Sequence, residues 1–214
     1  MDVTLIEDLR SRLLGALPGH GKFLAHTGYD RTRLKRAQER DTEPRISAVL
    51  ICLYPSQGEW YTTLMKRPSY EGVHSGQVAF PGGRVEEEDK DLIDTALREF
   101  REETGADTQG FEILGNLSEL YIPPSRSLVT PYIACVDREL VFDPDEREVA
   151  RLMEVPFTDV LKEDILKSTD QLIWALGKEL QVPYFDIDNE IVWGATALMI
   201  AELRELCGVE LKQP

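Results

Sequence analysis

The stretch FPGGRVEEEDKDLIDTALREFREETGA, residues 80–106, decides the fold predicted for this chain. It runs from a Pro-Gly-Gly turn through an acidic loop into a segment with apolar residues at helical spacing, which are Leu92, Ile93, Ala96, Leu97 and Phe100. This stripe predicts an amphipathic helix over 90–104 that packs its apolar face against another layer. Gly105 supplies the C-terminal stop of that helix.

Three carboxylates lie beside the apolar stripe. Glu102 and Glu103 follow Glu99 by three and four positions, so the three side chains share one edge of the helix. Because they flank the stripe, packing it on a sheet would set them at the rim of a cleft. Like charges this close repel unless a cation lies between them, and hard oxygen ligands favour Mg²⁺ or Mn²⁺. Arg98 is placed to orient an acidic neighbour.

A solvated helix face is the alternative interpretation of this acidic segment. Acidic helices with interspersed arginines are common and are stabilised by ion pairs between residues four positions apart. The order of the whole stretch favours a metal site instead, because Gly-Gly and an acidic loop precede Arg-Glu-Phe-Arg-Glu-Glu-Thr-Gly-Ala. Metal ions held there could neutralise a pyrophosphate and activate a bound water.

The segments on either side predict an α+β fold. Residues 46–54 form a continuous apolar run typical of a strand buried on both faces, and a turn returns the chain as a strand over 59–66. Further strands are predicted at 74–80, 111–121, 128–136 and 152–157, and within a region around 170–187. Helices are predicted at 4–14, near 158–166 and at 194–206. The result is an α+β sandwich with a mixed sheet and helices at both termini.

The amino-acid composition narrows the classes of function that this chain could have. The 214 residues carry a formal net charge of −15, which argues against nucleic-acid binding because phosphate backbones attract clustered Lys and Arg. The chain has no apolar run long enough to cross a membrane, and its first residues predict no signal peptide. Cys52, Cys135 and Cys207 lie far apart in apolar surroundings and are interpreted as reduced thiols of a cytoplasmic protein.

The central stretch resembles the signature of the Nudix hydrolases, Gly-x5-Glu-x7-Arg-Glu-U-x-Glu-Glu-x-Gly-U, where U is apolar. Residues 98–106 match every fixed position of its second half. The first half departs, because Asp89 replaces the glutamate six residues beyond Gly83 and eight residues separate it from Arg98. We interpret this as a one-residue loop insertion in which Asp89 stands in for the glutamate. The family fold is an α/β/α sandwich, and we assign residues 44–207 to it, with 1–43 as a helix and polar connector packed on that domain.

The likeness extends to the coenzyme A diphosphatases of this family. It is carried by several short segments, which are Leu64-Met65-Lys66-Arg67, His74-Ser75-Gly76-Gln77-Val78, Phe80-Pro81-Gly82-Gly83, Val129-Thr130-Pro131, Glu148-Val149 and Ile191-Val192-Trp193-Gly194-Ala195-Thr196-Ala197. Two positions depart from that subfamily, where Ser usually follows the Arg of Arg67 and Arg or Pro usually occupies position 72; this chain has Pro68 and Gly72.

The resemblance implies a set of site residues. Glu99 and Glu103 would be the principal Mg²⁺ or Mn²⁺ ligands, with Glu102 a further ligand or the base that acts on water, and Gly83 would lend a backbone carbonyl. Glu148 is a candidate base or ligand, with a solvent-facing strand residue as the alternative. Candidates for holding the substrate are Arg67, His74 and Gly82, although His74 also fits a structural role. Tyr121 is interpreted as a core residue, and Trp193 as a core anchor with stacking on an adenine ring as the alternative.

The implied activity is metal-dependent hydrolysis of the diphosphate linkage of coenzyme A or its derivatives by a homodimer. The products would be 4′-phosphopantetheine, or its acyl form, and adenosine 3′,5′-bisphosphate. Two alternatives remain: the same chemistry on ADP-ribose, NADH or a nucleoside triphosphate, and a nucleotide-sensing domain without catalysis. The intact Glu99, Glu102 and Glu103 argue against the sensing domain.

Overall fold

A mixed sheet forms the centre of the protein. The structure, a computed structural model, describes residues 3–27, 31–71, 74–173 and 178–210, and within these ranges the sheet has eight strands. The first strand, β1 (Arg45–Ser56), pairs antiparallel with β2 (Glu59–Lys66). On its other side β1 runs parallel to β7 (Ser127–Cys135). The remaining strands pair antiparallel at the margins: β3 (Val78–Ala79) and β8 (Arg151–Pro156) with β2, β4 (Gly82–Arg84) with β1, and β5 (Glu112–Asn116) and β6 (Leu120–Ile122) with β7.

A smaller antiparallel sheet and several helices surround the main sheet. The smaller sheet consists of β9 (Leu166–Ile173), β10 (Lys178–Ile187) and β11 (Glu190–Val192). The helices are α1 (Val3–Leu13), α2 (Gly21–His26), α3 (Arg31–Arg40), α4 (Leu92–Thr104), α5 (Phe157–Val160) and α6 (Gly194–Leu206), with a 3₁₀ turn at Glu163–Ile165. Among the described residues, no helix is both long enough and apolar enough to cross a membrane.

Alternating side chains of β1 contribute to two hydrophobic cores, one on each face of the sheet. Leu50 and Cys52 pack with Phe100 of α4 on one face. Ile51 and Leu53 pack on the opposite face with side chains of α1, α2 and α6. Because successive residues of a strand point to opposite faces, a continuously apolar strand needs a cover on both sides. The predicted α+β sandwich with a mixed sheet is therefore confirmed.

Local capping fixes where α4 begins and ends. The side chain of Asp91 accepts hydrogen bonds from the backbone N–H groups of Ile93 and Asp94, both at 2.9 Å. At the other end, Gly105 adopts a left-handed conformation with φ of 70° and donates its N–H to the Arg101 carbonyl at 2.8 Å. These two caps set the register in which α4 presents its carboxylates.

Several predicted elements differ in extent. The strand predicted at 74–80 is reduced to β3, because His74 adopts a left-handed conformation with φ of 70° and the segment before Val78 forms turns. The helix near 158–166 is a short α5 followed by the 3₁₀ turn. The polar connector contains α3, and the loop after the first helix contains α2. Gly72, where the sequence departs from the coenzyme A pattern, lies outside the described residues.

Candidate active site

A cavity of about 500 Å³ is lined by residues of α4, α2 and α6. We call one part of its lining the carboxylate end, defined by Gly82, Gly83, Glu99, Glu103 and Glu148. We call the other part the apolar end, defined by Phe23, Leu24, Leu120, Val182, Trp193 and Leu198. Cavities of this size are typical of small-molecule binding sites.

Glu103 is the most deeply buried acid of the carboxylate end. Its side chain is 2% exposed, and Oε2 accepts a hydrogen bond from the backbone N–H of Gly82 at 2.7 Å. The guanidinium of Arg67 lies 3.6 Å from Oε1. Burial raises the pKa of Glu103 to about 8, and repulsion from Glu99 and Glu148 adds to the rise against the opposing effect of Arg67. The negative charge of such a buried carboxylate is unfavourable, and a bound cation would stabilise it.

Glu99 lies directly against Gly83. A β-carbon added to Gly83 would overlap the Glu99 carboxylate, so a larger residue there would displace that side chain. Burial raises the pKa of Glu99, and the nearby charges of Glu102 and Glu148 raise it further. Glu148 also lines the cavity, but it is exposed to solvent. The carboxylate end therefore brings together acids from α4 and from the loop before β8.

Arg98 donates hydrogen bonds to several of the acids. Its Nη1 donates to Glu99 Oε1 and to Glu102 Oε2, both at 3.0 Å. Its Nη2 donates to the backbone carbonyl of Arg84 at 2.8 Å. Nε and Nη2 form a bidentate pair with Asp89 at 2.9 and 3.0 Å. The predicted orienting role of Arg98 thus has a geometric basis, although Arg98 itself does not line the cavity.

Asp89 anchors this network. Its side chain is 4% exposed and also accepts hydrogen bonds from the backbone N–H of Glu86 at 2.9 Å and from the Thr95 hydroxyl at 2.8 Å. The Arg98 guanidinium holds the pKa of this carboxyl far below its usual range. The longer loop therefore still delivers a carboxylate to Arg98.

Glu102 differs from its two neighbours on α4. Its side chain is 52% exposed and pairs with Arg98, and it does not line the cavity. The structure therefore brings Glu99, Glu103 and Glu148 to one wall but leaves Glu102 at the outer edge. The sequence pattern placed all three α4 acids together because periodicity gives the direction of a side chain along a helix but not the partner it contacts.

The predicted substrate-holding residues all line the cavity. Arg67 Nη2 donates to the carbonyl of Gly82 at 3.4 Å, which places a cation beside the carboxylate end. His74 Nδ1 lies 2.9 Å from Gln77 Oε1, and both side chains line the same wall. Gly82 cannot carry a side chain, because a β-carbon there would overlap the backbone of β1.

The donor set at the carboxylate end fits a divalent cation. In the parts of the chain that the structure describes, no three His, Cys, Asp or Glu side chains are already grouped as ligands. Glu99 and Glu103 nevertheless offer two hard carboxylates beside the Gly82-Gly83 backbone. Mg²⁺ typically takes one or two carboxylates and completes its shell with waters and substrate phosphates. The residues therefore suit an ion that is shared with a phosphate ester.

Several cavity residues were missed by reasoning from sequence. Tyr121, interpreted as a core residue, lines the cavity, and so does Trp193, for which a core position was preferred to the alternative of adenine stacking. The Tyr121 hydroxyl donates to Asp41 Oδ2 at 2.7 Å, and Arg126 pairs with the same carboxylate. Phe23 comes from the short helix α2, whose six residues are too few to show a periodicity.

Comparison with known sequences supports the family resemblance. The sequence profile of the NUDIX domain matches residues 44–174. Nudix hydrolase 22, chloroplastic, from Arabidopsis thaliana is 32% identical over 200 residues, which cover 90% of this chain and 64% of that protein. An uncharacterized Nudix hydrolase NudL from Yersinia pestis is 31% identical over 189 residues, which cover 88% of each chain. This chain thus spans less than two thirds of its Arabidopsis relative.

Solved structures agree on the fold. A NUDIX hydrolase from Alicyclobacillus acidocaldarius superposes with a TM-score of 0.54 and 16% identity, covering 78% of this chain and 93% of that one. The Nudix hydrolase RenU from M. smegmatis gives a TM-score of 0.51 and 19% identity, covering 77% and 86%. At these identities the likeness concerns the fold alone.

Proposed function

The chain belongs to the Nudix hydrolase family, and on this premise we propose that its cavity binds a nucleoside diphosphate derivative and hydrolyses the diphosphate linkage. The observation that carries the proposal is a buried carboxylate, Glu103, beside a half-buried one, Glu99, both set against Gly82-Gly83 in a cavity that Arg67 also lines. A buried acid with a second acid beside it is costly for a purely structural protein and useful for one that binds a cation with a phosphate ester.

The roles follow from the contacts of each residue. Glu99 and Glu103 would hold Mg²⁺ or Mn²⁺, with the backbone carbonyl of Gly83 as a further donor. The bound ion supplies charge neutralisation of the diphosphate and a water of lowered pKa. Glu148, exposed on the cavity wall, is the group we propose to accept the proton of the attacking water, and Glu102 is the second candidate.

Arg98 acts as a positioning residue. It contacts Glu99 directly and is itself fixed by Asp89, so it sets the direction of a ligand without touching the substrate. Arg67 is placed to bind a phosphate oxygen, since guanidinium groups form paired hydrogen bonds with phosphates. His74 lies on the same wall and would contact the same part of the substrate. Gly82 lines the same cavity, and its backbone would contact the substrate.

Coenzyme A or one of its derivatives is the substrate that we propose. The segments 64–67, 74–78 and 191–197 support this choice, because they resemble the coenzyme A diphosphatases and all contribute residues to the cavity. The products would be adenosine 3′,5′-bisphosphate and 4′-phosphopantetheine or its acyl form. Pro68 and Gly72 depart from the same pattern, and the second candidate class is therefore another nucleoside diphosphate derivative or a nucleotide: ADP-ribose, NADH or a nucleoside triphosphate.

We further propose that residues 1–43 are an extension packed on the domain of residues 44–207. Contacts from Arg10 to Glu112 and from Gly19 to Glu202 support this organisation. Family resemblance supports a homodimer, which light scattering of the purified protein would test. The free cysteines Cys52, Cys135 and Cys207 support a cytoplasmic site of action.

A substrate panel tests the activity. Purified protein is assayed with Mg²⁺ or Mn²⁺ on coenzyme A, acetyl-coenzyme A, ADP-ribose, NADH and ATP, with Glu103→Gln as the control. We expect the highest kcat/KM on coenzyme A or its thioester, and a clear preference for ADP-ribose would overturn that substrate. Failure to cleave any of the five would overturn the hydrolase itself. Mass spectrometry of products made in ¹⁸O-labelled water then identifies the phosphorus that is attacked.

A further inference from the structure

The loop between β7 and β8 brings Glu148 to the cavity, and it is held against the C-terminal end of α4. The backbone N–H of Asp143 donates to the carbonyl of Thr104 at 2.9 Å, and that of Asp145 donates to the carbonyl of Glu103 at 3.2 Å. Carbonyls in the last turn of a helix have no partner within the helix. The loop therefore supplies partners to the helix that carries the proposed metal ligands.

The loop approaches α4 most closely at Gly105, the residue that follows the helix. A β-carbon on Gly105 would overlap the backbone of Asp143, so the loop backbone lies directly against the end of the helix. A side chain at this position would push the loop away from α4. This contact and the two hydrogen bonds fix the start of the loop relative to Glu103.

Asp145 connects two residues to which the proposed function gives a role. Its N–H donates to the carbonyl of Glu103, and its own carbonyl accepts from the N–H groups of Glu148 and Val149 at 2.9 and 2.8 Å. Two backbone hydrogen bonds therefore link the residue proposed to hold the metal ion with the residue proposed to accept the proton. The relative position of these two residues depends on the conformation of Asp145.

The side chain of Asp145 stabilises the turn that leads to Glu148. Its Oδ1 accepts from the backbone N–H of Arg147 at 3.0 Å and from the Nε of the same residue at 2.9 Å. A hydrogen bond from the N–H two residues later to an aspartate side chain stabilises a turn, and asparagine can accept the same bond. The ion pair contributes less, because the Arg147 side chain is 88% exposed. The turn therefore depends on the acceptor oxygen more than on the charge.

The loop is also anchored just beyond Glu148. Val149 is 3% exposed, and the backbone N–H of Ala150 donates to the carbonyl of Lys66 on β2 at 2.9 Å. Glu148 itself is exposed. Its position is therefore set by the backbone on either side of it and not by burial of its own side chain.

We propose that Asp145 is a positioning residue, whose turn holds Glu148 where it can accept the proton of the attacking water. This inference rests on the proposed function, and it gives a role to a residue that does not itself line the cavity. Asp145 acts on the reaction through Glu148 alone. Its loss should therefore lower kcat and leave KM unchanged.

A double-mutant cycle tests this role. Steady-state kinetics with Mg²⁺ compare the wild type, Asp145→Ala, Glu148→Gln and the double variant on the substrate of the panel that is cleaved fastest. Asp145→Ala should lower kcat about tenfold and leave KM within about twofold, as expected for a group that orients another. In the Glu148→Gln background the same substitution should change kcat by less than about twofold, since the group that it positions is already absent.

Further single variants separate positioning from folding. Asp145→Asn keeps the acceptor oxygen of the turn and should retain kcat within about twofold. If Asp145→Ala does not fold, Asp145→Ser replaces it, and its weaker turn should lower kcat about fivefold. Asp143→Ala is the matched control and should match the wild type, because Asp143 contacts α4 through its backbone and its side chain is exposed.

The outcomes distinguish this role from the proposed function. Absence of cleavage by the wild type would overturn the proposed function and the role of Asp145 with it. An active wild type whose kcat does not change in Asp145→Ala would overturn the role of Asp145 alone. So would a further tenfold loss when Asp145→Ala is added to Glu148→Gln, because the two residues would then act independently.

Discussion

The carboxylate end of the cavity comes mostly from one short part of the chain, whereas the apolar end is assembled from segments far apart in sequence. Gly82, Gly83, Glu99 and Glu103 lie within 22 positions of one another on β4 and α4. The apolar end combines α2 near the N-terminus with β6, β10 and α6. The proposed metal ligands thus share one turn-and-helix unit, while the proposed specificity surface can vary with the flanking segments.

The two ends also differ in what stabilises them. Glu103 is buried with a pKa of about 8, and Arg98 is surrounded by Asp89, Glu99 and Glu102. That end is held by charge-assisted hydrogen bonds and retains electrostatic repulsion among its acids. The apolar end is held by ring stacking and by one buried carboxylate, Glu202. We therefore expect perturbations of the first end to act on rate and those of the second to act on affinity and stability.

Removal of divalent cations should have the largest effect. EDTA should abolish hydrolysis, since the water and the diphosphate lose the ion that Glu99 and Glu103 would hold. Hydrolysis that continues at the same rate in EDTA, and that added Mg²⁺ does not change, would contradict a metal role at the carboxylate end.

Glu103→Gln should have the second-largest effect, a loss in kcat on the order of 10³-fold for every substrate cleaved. The amide keeps the shape of the side chain and can still accept from Gly82, but it cannot carry the negative charge that a cation requires. Steady-state kinetics at saturating Mg²⁺ measure the effect. A variant that retains wild-type kcat would show that the buried acid is structural.

Asp89→Asn should lower kcat by about 10- to 100-fold, as expected for a group that orients a metal ligand. The change weakens the bidentate pair with Arg98 and so loosens the contact from Arg98 to Glu99. Asp94→Asn is the matched control, since Asp94 is on the same helix but does not contact Arg98. Equal kinetics of the two variants would show that Asp89 does not orient a metal ligand through Arg98.

The positions of Glu99 and Glu103 beside Gly82 and Gly83 depend on local sequence. The stripe ending at Phe100 and the stop at Gly105 fix the helix, and the helix fixes the direction of Glu99 and Glu103. The apolar end was not predicted, since it depends on which distant segments meet. Phe23 lies in a helix of six residues, and Trp193 has the same local sequence whether it faces a core or a cavity. The exposed position of Glu102 likewise follows from a tertiary contact with Arg98.

Glu202→Gln should produce the smallest effect and confine it to the apolar end. Glu202 accepts hydrogen bonds from Ser118 Oγ at 2.6 Å and from the backbone N–H of Gly19 at 3.0 Å, and His20 lies beside it. An amide keeps one acceptor, so we expect a loss of about 1 kcal/mol in the free energy of unfolding and a fall of about 2–4 °C in Tm. Calorimetric melting at pH 7 measures it, and hydrolysis of coenzyme A should keep its kcat.

The pH dependence of that difference gives a further check. Burial raises the pKa of Glu202, but hydrogen bonds from His20 and Ser118 outweigh it and lower the pKa below its ordinary value. A lowered carboxyl pKa stabilises the fold above the unfolded-state value of about 4.3, and the stabilisation is lost as the pH falls through the folded-state value. Below about pH 4.3, the Tm gap between wild type and variant should therefore shrink as the pH falls. A gap that widens with acid would contradict this assignment.

In the proposed mechanism, one end of the cavity cleaves the diphosphate and the other end selects the substrate. Steady-state kinetics of the wild type, Glu103→Gln and Leu24→Trp on coenzyme A and octanoyl-coenzyme A test it most directly. The account predicts that Glu103→Gln lowers kcat equally for both substrates, whereas Leu24→Trp raises KM for the octanoyl thioester alone and leaves both kcat values unchanged. A Leu24→Trp variant that lowers kcat on both substrates, or a Glu103→Gln variant that discriminates between them, would contradict it.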